Sequence, residues 1–138
     1  MMYYPRRQQT NFGVVAREQA LLRRHYDFLR TEIRRGVLYC YGQIQPSAVS
    51  TTYDYRITYD PASVPKVHVR EPHIAYNKDI HMYKDGNLCL YYPPEMKWTS
   101  DCHLFNTIVP WTQEWFVFYE LYQINGKWEH PFVPHGSI

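Results

Sequence analysis

Residues 14–35, VVAREQALLRRHYDFLRTEIRR, place apolar side chains at Leu22, Tyr26, Leu29 and Ile33, with Val14, Leu21 and Phe28 on the same broad face. This spacing predicts a helix over 14–35, with Gly36 as its stop. The period then changes. VLYCYGQI (37–44) is aromatic and β-branched, TTYDYRITYD (51–60) alternates, and PKVHVRE (65–71) sets Val67 and Val69 against His68 and Arg70. These runs predict three strands, and the short turns between them predict an antiparallel meander rather than βαβ units. From Pro72 to Thr99 the pattern is irregular, and a loop that long in a small domain is usually functional.

Helical spacing returns after Thr99 or Ser100, both suitable caps, with CHLFNTIV as about two turns. Pro110 must start a new segment or kink the old one. Over 110–124, Trp111, Trp115, Phe118, Tyr119 and Tyr122 form an aromatic stripe that reads as core, and Asn125-Gly126 ends it. The expected fold class is α+β, one sheet against helices, in a single domain over 1–138. Residues 1–12 are expected to be a flexible N-terminus, and 127–138 an extended tail.

Composition adds little to that outline. The 138 residues are 45% hydrophobic and 17% aromatic, which is globular. No apolar run approaches the roughly 20 residues of a membrane span, and the N-terminus lacks a signal-peptide stretch. A cytoplasmic protein is therefore expected, without membrane insertion. Charge is more informative. The net +2 divides into +5 over residues 1–35, from eight arginines against Glu18, Asp27 and Glu32, and −3 over the rest. A basic first segment points to an acidic partner, either protein or nucleic acid. The later excess of acid argues against nucleic acid.

Three cysteines, Cys40, Cys89 and Cys102, form no CxxC pair and no disulfide framework. Cys40, among tyrosines in a strand, is expected to be buried. Cys102 is expected to open a helix, where the dipole would favour a second reactive thiol. Cys89, in DGNLCLYYPPEMKWT, admits four readings. As a nucleophile it would sit on a surface groove, with Gly86 turning the backbone, Leu88 and Leu90 anchoring the loop, and His81 within reach. As a metal ligand it would need neighbours two to four residues away, and only Cys102-His103 are close to each other. A papain-like protease would need a helix starting at the cysteine, and Leu-Tyr-Tyr-Pro-Pro does not start one. The fourth reading is a buried, inert thiol.

The order of local signals narrows these choices. Pro65-Lys66-Val67, Gly86-Asn87-Leu88-Cys89-Leu90 and Trp98-Thr99 resemble, in order and near spacing, the core of ubiquitin-conjugating enzymes. With TIVPWTQEWFVFYELY and a Gly-x-Trp tail, the chain is similar to compact bacterial members of that superfamily. Among these are the conjugating-enzyme-like proteins of type II CBASS antiphage operons, encoded beside a cGAS/DncV-like nucleotidyltransferase.

The resemblance implies the ubiquitin-conjugating fold and a thioester on Cys89, with no cofactor or metal. The acyl group would be the C-terminus of the nucleotidyltransferase or of a ubiquitin-like modifier, transferred to a target amine. His81 falls where the family has the Asn of His-Pro-Asn, while Asp79 and Ile80 replace the His and Pro. Two features of the family are missing: the long third and fourth helices, and an acidic gate for the incoming lysine. His130 or His135, in the tail, is a candidate base. By the same resemblance Arg17, Arg23, Arg24 and Arg30 on the first helix would dock an activating enzyme or the nucleotidyltransferase. The alternative is a non-catalytic binding module of the same fold that holds a partner protein.

Overall fold

The computed structural model describes residues 10–91 and 95–130. Helix α1, Asn11–His25, starts at Thr10, whose side chain accepts from the Gly13 N–H at 3.0 Å. It ends at His25, eleven positions before Gly36, and the backbone becomes extended at Tyr26. Strand β1, Arg30–Arg34, occupies the second half of the expected helix. The correction has a physical cause. Leu29 and Ile33 satisfy helical spacing equally well by pointing into the sheet core, and Thr31 and Ile33 are β-branched. Arg35 and Gly36, both at positive φ (52° and 77°), form a two-residue turn between the paired Arg34 and Val37. That is a hairpin geometry, so Gly36 turns a strand and does not stop a helix.

The sheet therefore has four antiparallel strands and not three, in the order β1, β2 (Val37–Ile44), β3 (Tyr53–Tyr59), β4 (Lys66–Glu71). The last three match the expected runs closely. Leu38, Cys40, Tyr55, Ile57, Tyr59 and Val67 face inward and are buried under α1 and the second helix. Gly42 is fixed by packing: a Cβ there would lie 2.6 Å from the Tyr55 ring.

The segment after Thr99 is a second correction. It runs as turns up to helix α2, Ile108–Asn125, and holds no helix over 100–107. The carboxylate of Glu18, fully buried on α1, competes successfully for its backbone. It accepts from Leu104 N–H at 2.7 Å and lies 2.8 Å from His103 Nδ1 and 2.9 Å from Arg17 Nε. Pro110 sits in the first turn of α2, where a missing N–H breaks no helical bond. Gly126, at φ 71°, closes α2. Among the described residues, no helix is long and apolar enough to cross a membrane. The α+β architecture, with a helix at each end of an antiparallel meander, is the expected one.

Candidate active site around Cys89

The loop after β4 makes a short 3₁₀ turn, Lys78–Ile80, and reaches His81, a non-glycine residue at φ 55°. Met82 and Leu88 then bridge, and between them Gly86, at φ 90°, turns the chain with its N–H donating to Tyr83 O. The glycine is needed here because such a φ strains other residues. This small hairpin is fastened to the sheet. Leu88 N–H donates to Val67 O, and Leu88 and Leu90 are both buried as anchors.

Cys89 follows, with its N–H donating to His81 O at 2.9 Å. From behind, the Trp115 indole N–H donates to Ile80 O and His81 O, at 2.9 and 3.2 Å. The loop is thus held through its backbone by α2. The Cys89 thiol lies 3.5 Å from Tyr91 O, and the Tyr83 side chain hydrogen-bonds it. Burial raises the thiol above its usual range, and its hydrogen bonding with the Tyr83 side chain and the Tyr91 backbone only partly offsets this. The Tyr83 hydroxyl is itself raised, first by burial and then by the neighbouring Cys89.

Cys89 is not on an open groove. It is 4% exposed, in a narrow recess lined by His81, Leu90, Trp111, Trp115, Trp128 and His130. The far wall comes from the chain after α2. Trp128 stacks on His81, and His130 sits edge-on to Phe118 with its Nε2 2.5 Å from Glu114 Oε1. Residues 128–130 therefore fold over the cysteine rather than run along the surface. His135 lies outside the described residues.

The structure thus gathers Cys89, His81 and His130, but scatters the expected docking arginines. Arg17 is tied to Glu18 and to Ser100 O, and Arg23 donates to Thr31. Arg24 is exposed on α1, while Arg30 is not helical at all and lies on β1. The other thiols differ from Cys89. Cys40 is fully buried, and burial, with Glu18 adding to it, pushes it up to about 12. Cys102 lies in a turn, not at a helix start, where its sulfur accepts from Thr99 N–H.

Sequence reasoning missed Tyr83, Glu114 and Trp128. Pairing Met82 with Leu88 across the Asp85-Gly86 turn would have placed Tyr83 beside the cysteine. Nothing local marks Glu114. Among the described residues, no group of three His, Cys, Asp or Glu could hold a metal ion.

A comparison with curated proteins finds no match. The sequence profile of the family described as "Type II CBASS E2 protein" matches residues 18–136, which is most of the chain and includes Cys89 and the residues around it. This chain belongs to that family, and its role is that of an E2-like protein in CBASS antiphage defence.

Proposed function

We propose that this protein is a cytoplasmic bacterial transferase that carries an acyl group on Cys89 as a thioester and delivers it to an amine. The observation that carries the reading is the recess itself: one thiol, hydrogen-bonded by a tyrosine, facing a histidine that is paired to a carboxylate. The acyl group is the C-terminal carbonyl of a partner protein, with a cGAS/DncV-like nucleotidyltransferase as the first candidate, and it arrives activated on a leaving group. Cys89 sulfur attacks that carbonyl, the leaving group departs, and a thioester remains. The amine, expected to be a lysine, then attacks the same carbonyl. Its proton passes to His130, oriented by Glu114, and the thiolate leaves.

Two donors border the place where the oxyanion would develop. His81 is one. The other is the Trp128 indole N–H, which is buried with no acceptor among the described residues. A buried donor left unpaired costs about 1–3 kcal/mol, and an acyl oxygen in the recess would relieve it.

One observation favours a second reading. A thiol 4% exposed, with its ionisation suppressed by burial, suits a binding module that never reacts. Expression in the native operon separates the two. Wild type, Cys89→Ala and Cys89→Lys are purified and their adducts weighed intact. A thiol-sensitive adduct on wild type, absent from the alanine variant and converted to a thiol-resistant amide on the lysine variant, supports the transferase. Three bare proteins that retain the same partner support the module.

A further inference from the structure

Arg30, displaced from the helix where spacing predicted it, lies on the sheet face that α1 and α2 leave uncovered. Cross-strand register aligns Arg30, Tyr41, Arg56 and His68 in one row across all four strands, and directly opposed residues share a face. Strand alternation puts Arg70, two residues after His68 on β4, on the same face, where its guanidinium lies 5.1 Å from the Tyr41 ring centroid. Arg30 lies over the same ring at 4.3 Å, and Arg34 lies over Tyr39 at 4.2 Å. Phe28, Arg30, Tyr41, Gln43, Asp54 and Arg70 line a shallow groove. Arg56 Nε is buried beside it with no hydrogen-bond partner among the described residues.

Acids on this face are fewer and sit to one side. Glu32 is paired with Arg34 at 3.0 Å, while Asp54 and Glu71 are opposed at the irregular end of β3 and β4. The centre of the face is therefore a cluster of guanidinium groups laid on tyrosine rings. We infer that this face docks an acidic polypeptide segment, whose carboxylates are gripped bidentately by Arg30, Arg56 and Arg70.

The chemistry selects this occupant. Planar guanidinium forks match carboxylates, and stacking on an aromatic ring fixes their orientation beforehand. Single-stranded nucleic acid would need open ring faces for its bases, and here the rings already carry arginines. The chain's own ends do not complement the face, since residues 1–9 and 131–138 contain no Asp or Glu. The inference is independent of the chemistry at Cys89.

The test is fluorescence anisotropy of the full-length protein with a labelled dodecapeptide of alternating Asp and Glu, and with a single-stranded oligonucleotide of equal charge. The peptide should bind more tightly than the oligonucleotide. The double variant Arg30→Glu/Arg70→Glu should weaken it about tenfold or more, while Arg23→Glu/Arg24→Glu on α1, with the same change in net charge, should leave it within about twofold. Replacing both groove arginines by lysine keeps the charge and removes the fork, and should still cost several-fold. Tighter binding of the oligonucleotide, equal loss from the two glutamate pairs, or a concentration-dependent dimer abolished by the groove variant would overturn the inference. Circular dichroism of each variant confirms that the fold is intact.

Discussion

The Trp128 indole lies nearly parallel to the His81 imidazole, ring centroids 5.5 Å apart at 19°, and together they roof the thiol of Cys89. A thiol so covered reacts only when the roof moves. Replacing Trp128 by Ala should raise the rate of iodoacetamide labelling at Cys89 about tenfold, with Cys40 still silent. Peptide mapping after timed alkylation reads this directly, and an unchanged Cys89 rate would mean that access is controlled elsewhere.

Tyr83 acts on the same sulfur electrostatically. Its hydrogen bond favours the thiolate, against the burial that raises the thiol. Tyr83→Phe should therefore shift the pH midpoint of Cys89 alkylation upward and lower the thiolate fraction at neutral pH. A midpoint that stays or falls would refute the assignment.

Cys40 gives a stability prediction with a definite sign. Its thiol is pushed from 9.0 to about 12 in the folded state, so the unfolded chain releases this proton first. Folding stability should fall as pH rises through that window, by up to about 1.4 kcal/mol per pH unit for this one group. Urea unfolding at several alkaline pH values should show a shallower decline in Cys40→Ala than in wild type, whatever the variant loses at neutral pH.

Glu18 ties the first helix to the segment before α2. Glu18→Ala strands the Leu104 N–H and deprives His103 and Arg17 of their shared carboxylate, and should cost about 2–4 kcal/mol. Arg17→Ala leaves the other two contacts in place and should cost less than half as much. Equal losses in chemical denaturation would contradict this division.

Gly42→Ala probes the sheet core. The added methyl would lie 2.6 Å from the Tyr55 ring and 2.9 Å from Leu29, both buried, so neither can yield cheaply. A loss of about 1–3 kcal/mol is expected, and Tyr55→Phe in the same chain should recover part of it by removing the hydroxyl. A neutral Gly42→Ala would show that the core repacks freely.

Much of this architecture was legible because periodicity and core burial agree. β2, β3 and β4 alternate cleanly, whereas of the stripe from Trp111 to Tyr122 only Trp115 is buried. Trp111, Tyr119 and Tyr122 pack partly buried against the core, and the fully buried ring is Phe116, outside the expected stripe. Residues 30–34 were misread because Leu29 and Ile33 satisfy two periods at once. Only the pairing of β1 with β2, a contact between segments, decides between them. Segment 100–107 was misread for a related reason: good local helix signals lose to a buried carboxylate on α1. At the site, the glycine turn and its two leucine anchors were readable from neighbouring residues. The cover over the thiol was not, because Glu114 and Trp128 reach Cys89 only through the path of α2.

That path has a consequence for how the protein is made. Trp111, Trp115, Trp128 and His130, which wall the recess, are all translated after Cys89. On the ribosome the loop emerges first, without the indole that steadies its carbonyls and without the residues that shut it from solvent. The nascent chain thus passes through an interval in which its thiol is at its most accessible to oxidants and electrophiles, and that exposure ends only when the last part of the domain has emerged and folded over the loop.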